Sequence, residues 1–126
     1  MAWFREEGLL TVSGVPYRAY REAWMRGPFL LETAGTVLAR AEKPSALQRR
    51  LLVEFEGRRF TLQPRSLVSR DFILLDDGAE AGRIVPEGLL TRRAQAHLPE
   101  AMPLPVKVFL MWLVILLWKR AADSSS

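Results

Sequence analysis

Residues 108–118, Val-Phe-Leu-Met-Trp-Leu-Val-Ile-Leu-Leu-Trp, are eleven consecutive apolar residues bounded by Lys107 and by Lys119-Arg120. Pro105, just upstream, suits the first turn of a helix, where its missing N–H has no partner to lose. A helix apolar on every side has no face for water, so protein, lipid or further copies of the chain must surround it. The run spans roughly 16 Å at 1.5 Å per residue, against a hydrocarbon core of about 30 Å. A membrane span usually takes about 20 apolar residues, and runs of roughly 10–14 are more often buried core helices. The expectation is a helix over 106–120 inside the protein, with Phe109, Trp112, Leu113, Leu116 and Leu117 in the core. The alternative is a tail-anchored membrane protein with this helix in the bilayer and a β domain outside it, Lys107 and Lys119 snorkelling to extend its reach. Residues 121–126, AADSSS, read as a disordered, solvated tail.

Upstream, from residue 8 to residue 98, Gly and Pro punctuate short segments rich in β-branched, aromatic and leucine residues. This is the grammar of strands and hairpins. It predicts strands near 9–13, 16–24, 28–33, 36–42, 49–56, 58–63, 71–76, 80–85 and 90–97, and a further one at 2–5. Within 49–63, Leu51, Val53 and Phe55 share one face, Gly57 turns the chain, and Phe60 and Leu62 return on the same side. Arg50, Glu54, Arg59 and Thr61 then look to water. Asp76-Asp77-Gly78 is a strong hairpin signal. FLLETAGTVLARA at 29–41 also aligns without gaps on FILLDDGAEAGRI at 72–84, which raises the possibility of a duplicated hairpin.

Strands about 4.8 Å apart and tilted roughly 36° close into a barrel of radius near 8 Å for eight strands and near 10 Å for ten. A central helix needs on the order of 10 Å from its axis to the surrounding sheet. Eight strands are too tight, and ten or slightly more fit. The predicted fold is mainly β: a closed antiparallel β-barrel of about ten to twelve strands around the hydrophobic C-terminal helix, as a single domain over residues 1–120.

The net charge of +4 is unevenly distributed. Between residues 49 and 70, Arg49, Arg50, Arg58, Arg59, Arg65 and Arg70 face only Glu54 and Glu56. Asp71, Asp76, Asp77, Glu80 and Glu87 then outweigh Arg83. Such blocks either make a dipolar surface or pair off across neighbouring strands. The arginine-rich stretch, with Arg92 and Arg93, is the best candidate for an anionic partner, because guanidinium offers a forked donor set matched to phosphate. Nucleic acid is the weaker candidate, since no aromatics interleave with these arginines in an RNA-binding signature. The sequence names no protein partner.

Catalytic schemes are short of parts. Without cysteine there is no thiol nucleophile, thiolate metal site or disulfide, and with His97 as the one histidine no multi-histidine metal site is available. Asp71, Asp76, Asp77 and Glu80 supply hard oxygen donors but lack EF-hand spacing. His97 with Ser66, Ser69 or Asp71 lacks the surroundings of a nucleophile elbow. The glycines are dispersed singly, so no phosphate-cradling loop is present. No enzymatic activity, metal or cofactor is expected. The opening MAWFREEGLL has no basic region followed by an apolar run and cleavage site, so the expected location is the cytoplasm or its membrane surface.

Phe72-Ile73-Leu74-Leu75-Asp76-Asp77-Gly78 followed by Gly82-Arg83-Ile84, ahead of a very hydrophobic C-terminal helix, resembles the tubby C-terminal-like superfamily. That superfamily includes tubby domains, phospholipid scramblases and LURP-one-related proteins. The resemblance implies a closed barrel of about twelve strands around the helix. It also implies an interaction with acidic phospholipid, although fold alone confers no activity. The chain is much shorter than a tubby domain, so some strands must be brief or missing. Together these readings point to a small non-enzymatic protein that binds acidic phospholipid or a membrane surface through Arg49, Arg50, Arg58, Arg59, Arg92 and Arg93.

Overall fold

Alternating apolar and polar residues, interrupted by two-residue turns, build an antiparallel meander in which every strand pairs with its neighbours in sequence. The computed structural model describes residues 7–23, 26–44, 49–87 and 94–124. The strands are β1 (Glu7–Val12), β2 (Val15–Ala23), β3 (Arg26–Thr33), β4 (Thr36–Glu42), β5 (Leu51–Phe55), β6 (Arg58–Pro64), β7 (Phe72–Asp76), β8 (Ala79–Pro86) and β9 (Ala94–His97), followed by helix α1 (Leu104–Ser124). The expected strand at 2–5 lies outside the described residues.

The sheet has two unlike ends. At one, which we call the turn end, the β1–β2, β3–β4, β5–β6 and β7–β8 hairpins all close through a residue and a glycine, both in the left-handed region. Glu56 and Gly57 have φ of 50° and 74°, and Asp77 and Gly78 have 53° and 85°. Ser13-Gly14 and Ala34-Gly35 repeat the pattern. Such turns match the right-handed twist of the flanking strands and fix the register. At the other, the loop end, the connections between β4 and β5 and between β6 and β7 are longer.

The sequence repeat is a structural one. Phe29↔Ala41, Leu30↔Arg40 and Leu31↔Ala39 in β3–β4 have their counterparts in Phe72↔Ile84, Ile73↔Arg83 and Leu74↔Gly82 in β7–β8. Both hairpins then shift register at the equivalent place, between Leu31 and Glu32 and between Leu74 and Leu75. Two hairpins sharing register, bulge and turn carry the same local instructions.

The inward faces of β2 to β8 and one side of α1 form a single core that includes Phe29, Leu31, Leu51, Phe72, Leu74 and Ile84. Phe55 and Phe60 stack 5.4 Å apart at the turn end of β5–β6. The β5–β6 reading holds in detail, since Leu51, Val53, Phe55, Phe60 and Leu62 are all buried.

Two expectations are corrected. The sheet is not closed into a barrel of ten to twelve strands: among the described residues nine strands pair in order from β1 to β9, and no pairing joins the two edges. Nine is fewer than a helix-enclosing barrel needs, and the backbone of α1 instead runs beside both edge strands, β1 and β9. Nor is the helix covered on all sides. Val106, Phe109, Leu110, Leu113, Val114, Leu117 and Trp118 are buried at helical spacing, whereas Trp112 and Leu116, also expected in the core, are only partly buried. Trp112 packs edge-on to Phe29 at 6.0 Å and lies against Gly8 of β1, where a Cβ would fall 2.5 Å from its indole nitrogen. The helix also begins two residues before the expected 106 and continues through Ser124, into the stretch expected to be a tail.

Candidate functional site

Strand alternation decides what caps the core at the loop end. The inward position two residues beyond Ala19 is Arg21 on β2, and beyond Ala41 it is Lys43 after β4. Before Leu51 of β5 it is Arg49, and before Phe72 of β7 it is Arg70. Each is the first inward residue past the apolar layer. Helix α1 reaches the same end, where the Trp118 indole Nε1 donates to the Arg70 carbonyl at 2.8 Å.

The cations are close enough to sense one another. The guanidinium carbons of Arg21 and Arg120 lie 5.0 and 5.5 Å from the centre of the same Phe29 ring. Arg70 lies over Trp118 at 4.9 Å. Burial holds the Lys43 ammonium below the ordinary lysine value, and the positive charges of Arg21 and Arg49 lower it further. Burial also lowers Arg21 and Arg120.

The six arginines singled out from the sequence do not form one patch. Arg49 and Arg50 lie at the loop end, Arg49 on the inward side and Arg50 exposed. Arg58 and Arg59 flank the β5–β6 turn at the opposite end. There Arg58 pairs with Asp76 and Arg59 with Glu54, each at 3.3 Å. Arg65 completes the pattern by facing Glu80 at 3.4 Å. Two arginines of the basic block thus pair with the acidic block, Arg58 with Asp76 of the neighbouring β7 and Arg65 with Glu80 of β8, while Arg59 pairs within its own block with Glu54 of β5. Arg92 and Arg93 lie outside the described residues.

The candidates for other chemistry are dispersed. Asp76 and Glu80 are engaged by arginine, and among the described residues no group of three or more acidic or histidine side chains is arranged to hold a metal. His97 is exposed on β9, opposite Arg83, with β8 standing between it and the Ser66–Asp71 segment. No helix among the described residues is long and apolar enough to cross a membrane. The residues a tail anchor would place in lipid, Phe109, Leu110, Leu113 and Val114, are buried against the sheet.

Sequence reasoning missed Arg21, Lys43 and Arg120. A signal existed: each strand residue continues the inward parity of an apolar run by one step, as Ala39-x-Ala41-x-Lys43 shows. Scanning for local charge density passes over it, because the members are scattered along the chain.

No family model, curated protein or solved structure matches the chain. The reading of this site consequently rests on its own geometry.

Proposed function

We propose that this is a non-enzymatic protein that binds the surface of a membrane containing acidic phospholipid, and that it does so through the loop end of the sheet. The observation that carries the reading is the convergence of Arg21, Lys43 and Arg49 with Arg120 on one rim, close enough for Lys43 to respond to two neighbouring positive charges. A cluster of basic side chains on one rim attracts an anionic surface. Near such a surface each basic residue contributes about 1 kcal/mol, so a rim of four or five supports reversible docking. The tubby-like resemblance belongs to the same reading, including a barrel that would close further than the described strands do, and a cytoplasmic location at the membrane face.

Among the six arginines of the sequence argument, the reading keeps Arg49 and Arg50 as direct contacts and assigns Arg58 and Arg59 a structural pairing role. The test is co-sedimentation with vesicles of phosphatidylcholine alone and of phosphatidylcholine mixed with phosphatidylserine. Binding confined to the anionic vesicles and weakening as salt is raised is expected. Equal binding to both, or to neither, overturns the reading.

A further inference from the structure

Leu67 and Val68 are 95% and 94% exposed, at the tip of the segment joining β6 to β7. They are the two most exposed large apolar residues among those described, and they sit side by side. The hydrophobic effect presses such a pair onto the nearest apolar surface unless the backbone prevents it. Here the backbone is pinned. The Arg65 N–H donates to the Asp71 carbonyl at 2.8 Å and closes the base of the loop. The Ser69 N–H donates to the Ser66 carbonyl at 3.4 Å, and the Ser69 hydroxyl accepts from the Asp71 N–H at 3.0 Å. Trp118 holds the Arg70 carbonyl from the helix side.

One contact joins this tip to the cationic rim: the Arg49 guanidinium donates to the Leu67 carbonyl at 3.1 Å. Among the described residues of the loop end, the Leu67-Val68 tip is thus apolar, and Arg49, which contacts it, belongs with Lys43, Arg21 and Arg70 to the basic rim. A bilayer presents the complementary order, anionic headgroups outside and hydrocarbon within. A protein partner would need on the order of 800 Å² of this face for a stable interface, far more than two side chains offer. Insertion into lipid needs only that the tip reach past the headgroups.

We propose that Leu67 and Val68 form a preformed wedge that enters the acyl region of an anionic bilayer while the basic rim holds the headgroups. This rests on the membrane reading above and adds to it an orientation, with the C-terminal end of α1 facing the membrane, and a binding component that salt does not screen.

Because the chain has no cysteine, a Leu67→Cys variant takes one environment-sensitive fluorophore at that site, and Asp77→Cys at the turn end supplies the control. On vesicles of phosphatidylcholine with phosphatidylserine, the label at position 67 should shift to the blue and be quenched by spin-labelled acyl chains, while the label at position 77 stays unchanged. Leu67→Ser combined with Val68→Ser, at positions already in water and without change of charge, should leave thermal unfolding unchanged and lower vesicle affinity at least tenfold. Unlabelled protein that co-sediments with anionic vesicles while the position-67 label keeps its aqueous emission overturns the wedge and leaves the membrane reading standing. Failure of the unlabelled protein to co-sediment overturns both. Undiminished binding by the double serine variant also rejects the wedge.

Discussion

The two ends of the sheet are built from the same strands and differ in almost everything else. The turn end closes in two-residue hairpins with paired charges, Arg58 with Asp76 and Arg59 with Glu54. The loop end carries the longer connections, an apolar tip at Leu67-Val68, and basic residues at the inward positions just past the core. A tight turn uses its residues to satisfy backbone geometry, which leaves few side chains for binding. A longer loop has residues to spare, which is why recognition concentrates on loops held by a rigid scaffold.

The largest expected effect tests what the two ends share. Leu113 is 1% exposed in the core between them, and Leu113→Asp places a charge there at a cost of several kcal/mol. Circular dichroism should show loss of the whole cooperative transition. A β domain that survives the change would return the helix to the tail-anchored alternative.

The contrast itself is tested by charge reversal. Lys43→Glu with Arg49→Glu should weaken binding to anionic vesicles tenfold or more, given about 1 kcal/mol for each charge at such a surface. Arg58→Glu with Arg59→Glu changes net charge equally and should have a much smaller effect on binding. Equal losses from the two pairs would mean that overall charge, rather than the loop end, governs attraction.

A smaller effect belongs to the turn end. Gly78 has φ of 85°, and Gly78→Ala should destabilise by about 1 kcal/mol, because a Cβ opposes the left-handed conformation. Urea titration measures this, and vesicle binding of the folded fraction should not change.

The smallest effect concerns the lysine of the rim. Its folded-state value lies below its unfolded one, so the native state binds fewer protons in the window between the two and stability rises with pH there. Lys43→Met should raise the urea midpoint slightly at neutral pH. That advantage should shrink as pH climbs towards 10.5, the ordinary lysine value. A difference that grows with pH would show that the burial and like-charge argument has the wrong sign.

Much of the fold was legible because local rules were sufficient. The strand starts and ends follow from period-two alternation and from X-Gly turns, as in Leu51-x-Val53-x-Phe55 ahead of Glu56-Gly57. The repeat at 29–41 and 72–84 raised a duplicated hairpin, and the structure shows two hairpins of equivalent register with a shared bulge that the sequence did not announce. The state of the helix was only half legible. Eleven apolar residues require cover, yet they do not say which side receives most of it, and Trp112 and Leu116 lie on the less covered side. The candidate site was the least legible part. Charge density along the chain pointed to Arg58 and Arg59, which the neighbouring strands pair with carboxylates, and passed over Arg21 and Lys43, which strand parity turns inward.

The sequence by itself determined the antiparallel meander, its turns and the apolar helix, because these depend on neighbours a few residues apart. Tertiary structure decided that the nine described strands do not join edge to edge, that the helix lies beside both edge strands, and that basic residues distant in sequence share one rim. Those outcomes depend on how far nine strands can curve around a helix and on which strands stand next to each other, and pairwise contacts across space set both.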